Sequence, residues 1–176
     1  MSTRRAGCSR WSAYCTGEAE LSVPLPRSIL PRSILFVCAM NAVRSPMAEL
    51  LARQVLPATT FVASAGVRGG ERDPFVDAVL AEDGLSLGDR HPRTLDDLED
   101  DYFDLIITLS PEAHHTALEL TRSLAVDVEY WPMPDPTGVG GTREQIMAAY
   151  REVRERLKAR IGRRFSGAGS RETGLI

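Results

Sequence analysis

Hydrophobic and polar positions along this chain follow two alternating rhythms. Short apolar runs of strand length recur at Ser33 to Val37, Thr59 to Ala63, Asp104 to Leu109 and Val126 to Trp131. Between them lie longer stretches in which apolar residues return every three or four positions, the spacing of one helical face. Pro46 to Leu56 is the first, with Met47, Leu50, Leu51 and Val55 on a common face. Asp73-Pro74 opens a second helix reaching about Leu85, and Ser110-Pro111 starts a third, because a small polar residue followed by proline suits a helix N-terminus. Thr142 to about Phe165 reads as a long charged helix whose buried stripe is Ile146, Tyr150, Val153, Leu157 and Ile161. Strands and helices in alternation call for parallel pairing with right-handed crossovers. The expected fold is therefore α/β, a three-layer sandwich around a central parallel sheet.

The ends break this rhythm. Residues 1–32 are rich in Ser, Arg and Pro without a period, and Pro26-Arg27-Ser28-Ile29-Leu30 is repeated at once as Pro31-Arg32-Ser33-Ile34-Leu35. Only the second copy runs on into the apolar strand, so 1–32 is expected to be a disordered or over-extended tail, 33–165 the domain, and 166–176 a flexible tail. The acidic run Asp96 to Asp101 is most simply a solvated helix face. With 176 residues and 43% hydrophobic content the chain can fill one sizeable core. A net charge of −3 and a pI near 5.7 give no global attraction to nucleic acid or an anionic membrane, so neither is expected as a partner. Cys8, Cys15 and Cys38 cannot build a disulfide framework, Ala6 to Glu20 lacks the apolar stretch of a secretory signal, and the run Ile34 to Met40 is too short to span a bilayer. A cytoplasmic protein is the expectation.

The chemistry concentrates where the first strand ends. Cys38 and Arg44 bracket Ala39, Met40, Asn41, Ala42 and Val43, and Ser45-Pro46 begins the helix behind them. Five residues are enough to wrap main-chain N–H groups around a tetrahedral oxyanion, with a thiol at the base of the cradle. In a chain with twenty arginines and three cysteines the bare spacing arises by chance about one time in three, so its flanks carry the signal. A thiol is nucleophilic only as thiolate; inward N–H groups, the positive end of a helix and Arg44 all favour negative charge there. Ser45 is expected to cap the helix and to reach the Cys38 sulfur. Arg44 can grip two phosphoryl oxygens with its planar fork, which a lysine cannot copy. Asp135, on a loop stiffened by Pro134 and Pro136 after the last strand, is placed to donate a proton to a leaving oxygen and later to take one from water.

Cys38 to Arg44 with Ser45-Pro46-Met47-Ala48-Glu49, then Ser64-Ala65-Gly66, then Asp135-Pro136, in that order, resembles the low-molecular-weight protein tyrosine phosphatase family. The likeness covers about residues 33–165. It implies a four-stranded parallel sheet, a phosphocysteine intermediate, and neither metal nor cofactor. It also implies Cys38 as nucleophile, Arg44 as phosphate ligand, Asp135 as general acid, a network of Asn41, Ser45 and Ser64 holding the loop, and His91 as a structural support. The substrate it implies is a phosphorylated protein or a small phosphoester. His114 and His115 read as helix-surface residues.

The chain also departs from the family's pattern. Met40 replaces a small residue, Val43 replaces a second cysteine, Ala42 stands where phosphoarginine-specific members carry threonine, and neither Thr137-Gly138 nor Val67-Arg68-Gly69-Gly70 offers an aromatic wall. Arsenate reductases coupled to thioredoxin share the loop and pass oxidation to two later cysteines. No cysteine follows Cys38, which leaves a single-cysteine reductase using an external thiol as the rival enzyme. A phosphate-binding module without turnover is the third reading.

Overall fold

The computed structural model describes residues 30–99, 102–122 and 124–165. The expectations for 1–29 and 166–176, including Cys8 and Cys15, lie outside the described residues. Four strands and four helices alternate: β1 Ser33–Cys38, α1 Arg44–Val55, β2 Phe61–Gly66, α2 Pro74–Ala81, β3 Leu105–Thr108, α3 Pro111–Leu120, β4 Asp127–Tyr130 and α4 Arg143–Phe165, with a 3-10 turn at Pro136–Gly138 before α4. All strand pairs are parallel, in the order β2-β1-β3-β4. The expected α/β sandwich with its four-stranded sheet is the fold observed.

This order creates the place for a site. The chain leaves β1 toward one edge to form β2, then returns past β1 to form β3, so the connections diverge at the carboxyl ends of the two central strands. That divergence opens a crevice where α/β sheets bind ligands. Cys38 is the last residue of β1 and lies on that rim.

The central strands are apolar throughout because both sheet faces are covered. On one face Ile34 and Phe36 pack with Met47 and Leu51 of α1, Val76 and Leu80 of α2, and Val153, Leu157 and Ile161 of α4. On the other, Leu35, Val37 and Ile106 meet Ala113 and Ala117 of α3. Trp131 closes the first layer against the edges of Phe36 and Phe165, with the Arg160 guanidinium 5.3 Å from its ring centre. α3 begins as its sequence indicates: the Ser110 hydroxyl accepts from Ala113 N–H and Pro111 occupies the first turn.

Several expected boundaries move, each for a physical reason. α1 starts at Arg44 and is preceded by Val43, with no side-chain cap, because the Ser45 hydroxyl is turned into the interior instead. Its buried face uses Ala48 and Ala52 beside Met47 and Leu51, letting the helix lie close to the sheet, while Val55 is exposed and Leu50 half-buried. β2 begins two residues later than Thr59 and runs on through Ser64-Ala65-Gly66, whose polar and small residues hide the strand from an apolar-run reading. α2 ends at Ala81, ahead of a turn in which Gly84 takes φ +71°. The described part of the acidic run is no helix: Thr94 bridges to Gly66 and Asp97 accepts from the Thr94 N–H and hydroxyl in a turn. In α4 the stripe contains Met147, and Ile146 is half-buried.

Candidate active site

Residues 39–43 form a tight loop between the end of β1 and the start of α1. Asn41 sits at φ +51°, in the left-handed region that asparagine tolerates better than most residues, and is only 2% exposed. Its amide is the hub of the loop. Nδ2 donates to the hydroxyls of Ser45 at 2.9 Å and Ser64 at 2.8 Å, and Oδ1 accepts from Arg93 N–H at 2.9 Å. The loop's outer carbonyls are tied to the segment after β2, with Val67 N–H donating to Cys38 and Arg68 N–H to Ala39. None of the main-chain N–H groups of residues 39–43 is spent on a hydrogen bond among the described residues. Unspent N–H groups in a tight loop beside a helix start are the kind of donors that anion-binding loops use. Gly66 allows this closeness, since a Cβ there would stand 2.7 Å from Asn41 N and from the Met40 carbonyl carbon. Gly70 meets the Met40 main chain in the same way.

Cys38 lies at the base of the loop, 2% exposed, with its Sγ 3.0 Å from the Ser45 hydroxyl. That hydroxyl also lies 3.2 Å from the Ala65 carbonyl, so its one proton is shared between sulfur and carbonyl. Arg44 is 8% exposed, and its Nη2 contacts Asp135 Oδ2 at 2.9 Å while Nη1 donates to the Met133 carbonyl at 3.4 Å. The Asp135 side chain is half exposed, and its Oδ1 accepts from Thr137 N–H and Oγ1 at 3.1 and 2.7 Å. Partial burial pushes the Asp135 carboxyl up, but the two Thr137 bonds and the Arg44 charge outweigh it and hold the group below the ordinary aspartate value. Pro136, buried, begins the 3-10 turn and fixes the approach of Asp135. Met40 is exposed at the mouth, Ala39 and Ala42 are half-buried, and Val43 is buried under the loop.

The structure thus brings Cys38, Arg44, Asp135, Asn41, Ser45 and Ser64 together. His91 lines a small hollow beside Asn41 and Arg90 but is exposed and makes no hydrogen bond or ion pair among the described residues. The supporting contacts come from its neighbours: Arg90 Nη2 donates to the Ser64 hydroxyl at 3.3 Å, and Arg93 bonds Asn41 through its main chain. Arg90 also pairs with Glu49, a fully buried carboxylate on α1 that Arg53 meets from the other side at 2.7 Å. Sequence reasoning assigned neither Glu49 nor Arg90 a role. The available signal was a charge in phase with Ser45, Ala48 and Ala52 on the buried face of α1, where periodicity calls for an apolar residue. His114 is half-buried, with Nδ1 3.1 Å from the Thr108 hydroxyl and its ring stacked on Tyr130, so it braces α3 against β4. A wider hollow of about 610 Å³ opens at the amino ends of the strands beside Arg32, Asp104 and Glu129, on the side of the sheet away from Cys38.

The site therefore gathers a buried thiol, a guanidinium paired with a carboxylate, and a loop of unspent main-chain N–H groups at one end of the sheet. The family model for low molecular weight phosphotyrosine protein phosphatase matches residues 33–166, and the chain belongs to that family. An arsenate reductase of Bacillus licheniformis is 30% identical over 141 residues, which is 78% of this chain and 97% of that protein. Among solved structures, the tyrosine phosphatase AmsI of Erwinia amylovora aligns with a TM-score of 0.64 at 25% identity, covering 82% of this chain and 97% of its own. The arginine phosphatase YwlE of Geobacillus stearothermophilus aligns equally well, at 0.64 and 25%, covering 78% and 92%. No helix among the described residues is long and apolar enough to cross a membrane.

Proposed function

We propose that the protein is a cysteine-dependent phosphatase that hydrolyses phosphate monoesters through a phosphocysteine intermediate. The observation that carries this reading is the meeting of Cys38, the unspent N–H groups of residues 39–43 and the Arg44–Asp135 pair in one crevice. A phosphoryl group seated in the cradle places phosphorus above the Cys38 sulfur. Arg44 then turns its fork from Asp135 to two phosphoryl oxygens, a grip that strengthens as charge spreads in the transition state. The thiolate forms the S–P bond while the ester P–O bond breaks, and Asp135 delivers a proton to the departing oxygen. Thr137 and Arg44 hold the Asp135 carboxyl below the ordinary aspartate value and so favour its ionised form. Losing Arg44 to the substrate and facing a phosphate dianion both favour its protonated form, so substrate binding arms the acid. In the second half, Asp135 takes a proton from water as the water oxygen displaces sulfur from phosphorus, releasing phosphate and regenerating the thiolate.

A second reading is supported by the likeness to the Bacillus licheniformis arsenate reductase: reduction of arsenate, with an external thiol as the reductant because no cysteine follows Cys38. A single set of assays separates the two. Purified protein is tested on an aryl phosphate and on arsenate with thioredoxin or a small thiol, beside Cys38→Ser and Asp135→Ala. Aryl phosphate hydrolysis that disappears in Cys38→Ser, and that falls further in Asp135→Ala for poor leaving groups than for good ones, is the expected result. Thiol-dependent arsenate reduction without phosphate release overturns the phosphatase reading. Which phosphoester is used in the cell belongs to the same proposal: Met40 of the loop is exposed, and the positions after Asp135-Pro136 are Thr137 and Gly138 rather than aromatics, so an aliphatic leaving group is as consistent with the site as an aryl one.

A further inference from the structure

The two oxygens of Asp135 stand in different surroundings. Oδ1 accepts from the Thr137 N–H at 3.1 Å and from the Thr137 hydroxyl at 2.7 Å, while Oδ2 lies 2.9 Å from Nη2 of Arg44. A carboxylate oxygen has two lone pairs, and both of those on Oδ1 are spent on one residue. The main-chain bond follows from the turn itself, since an aspartate at its start accepts the N–H two positions on. Most residues at 137 could supply it. The second bond is particular to this chain, because it needs a short side chain with a hydroxyl.

Little else holds this carboxylate. Its side chain is half exposed, residues 137–142 beyond it are exposed as well, and Gly138 and Gly140 have open space where a side chain would stand. Among the described residues, Arg44 and Thr137 alone hydrogen-bond to the Asp135 side chain. In the reaction proposed above Arg44 leaves Oδ2 for the phosphoryl oxygens, whereas the Thr137 hydroxyl has no other partner to turn to. Oδ1 stays occupied, and Oδ2 becomes the free oxygen on the side of the crevice.

We propose that Thr137 is a positioning residue for the general acid: by filling both lone pairs of Oδ1 it keeps Oδ2 turned toward the substrate and reserves that oxygen for the proton delivered to the leaving group. The same two bonds favour the ionised carboxylate, so the residue that orients the acid also makes it harder to protonate. The other groups facing Asp135 are Arg44 from α1 and Tyr150 from α4, with Asp73 behind the tyrosine. Tyr150 donates to Asp73 and stays protonated, so it adds no charge of its own. The inference rests on the phosphatase reading with Asp135 as its acid.

The test uses Thr137→Val, which keeps the shape of the side chain without its hydroxyl, and Thr137→Ser, which keeps the hydroxyl; melting temperatures confirm that both fold. Single-turnover release of the leaving group, with enzyme in excess, is followed against pH for two esters. Phenyl phosphate has a poor leaving group that needs the acid, and 4-nitrophenyl phosphate a good one that does not. On phenyl phosphate, Thr137→Val is expected to lower the maximal rate about tenfold, a part of what a general acid supplies. The limb on which Asp135 loses its proton is expected to move up by about one pH unit, because a donor to the carboxylate is gone. On 4-nitrophenyl phosphate the maximal rate stays within about twofold, and Thr137→Ser restores both the phenyl phosphate rate and the limb. A carboxyl-carbon NMR titration of Asp135 in the substrate-free protein reads the same upward shift without turnover. Phenyl phosphate profiles of wild type and Thr137→Val that superimpose, or an unchanged titration, overturn the proposal. So does a Thr137→Ser protein that behaves as Thr137→Val, or a folded Thr137→Val that slows both esters equally, since Thr137 would then shape the loop rather than the acid. Absence of leaving-group release from either ester in wild type counts instead against the phosphatase reading, and the titration then still decides whether the hydroxyl holds the Asp135 carboxylate.

Discussion

Replacing Asn41 by alanine removes the one side chain that ties the loop to β2 and to the segment before the acidic turn. Three hydrogen bonds are lost, to Ser45, Ser64 and Arg93, and at about 1 kcal/mol each they amount to about 3 kcal/mol. Alanine must also adopt φ +51°, which adds roughly 1–2 kcal/mol that glycine escapes. Glycine loses more chain entropy on folding, by roughly 0.5–1 kcal/mol relative to alanine. The expected order of stability is therefore wild type, then Asn41→Gly, then Asn41→Ala, with the alanine variant about 4 kcal/mol below wild type and the glycine variant slightly more stable than the alanine one. That is a large share of the roughly 5–15 kcal/mol that holds a domain folded. Urea denaturation at neutral pH gives both differences. Both variants should also lose about 100-fold in kcat/KM on an aryl phosphate, because the loop no longer presents its N–H groups in register. An alanine variant as stable as the glycine variant would refute the left-handed loop geometry. A loss below about 1 kcal/mol in both would refute the hub role of Asn41.

Three other outcomes follow from the same geometry. Gly66→Ala forces a methyl group to 2.7 Å from the main chain of residues 40 and 41, so it should lower stability by about 1–3 kcal/mol and weaken inhibition by inorganic phosphate, read by denaturation and by competition against an aryl phosphate. Asp135 has a depressed folded-state value, so its pairing stabilises the protein above the unfolded aspartate value and is lost as pH falls through the folded one; melting curves of wild type and Asp135→Asn should differ at neutral pH and converge in acid. Tyr150 donates to the Asp73 carboxylate at 2.6 Å, and that bond together with burial holds its hydroxyl protonated; Tyr150→Phe should cost about 1–2 kcal/mol in urea titrations with kcat on an aryl phosphate unchanged.

Much of the architecture was legible because the central strands β1 and β3 are largely apolar runs and each crossover helix has a proline or serine in its first turn, as at Ser110-Pro111. The strand with polar cargo was read short: β2 carries Ser64 and Gly66, which serve the loop rather than the core. Local signals also located Cys38, Arg44 and the Asp135-Pro136 turn, since a loop of five residues and a rigid turn are written in adjacent positions. The pairings that organise the site are long-range and leave no local trace. Arg44 meets Asp135 across 91 positions, and Arg90 meets Glu49 only because α1 folds back over β2. Ser45 was expected to cap α1, yet a hydroxyl next to a buried sulfur is drawn inward, and the helix starts without a side-chain cap. The supporting role of His91 came from the family resemblance alone, and in the structure the hydrogen bonds to Ser64 and Asn41 come from its neighbours Arg90 and Arg93.

In the proposed mechanism Cys38 carries the phosphoryl group between the two half-reactions. Rapid quenching of Asp135→Ala with an aryl phosphate, followed by peptide mass spectrometry, tests it directly, because slowed hydrolysis lets the intermediate accumulate. The account predicts one phosphoryl group per chain, located on Cys38 and absent in Cys38→Ser. Turnover that persists in Cys38→Ser, or a phosphoryl group found on any other residue, would contradict it.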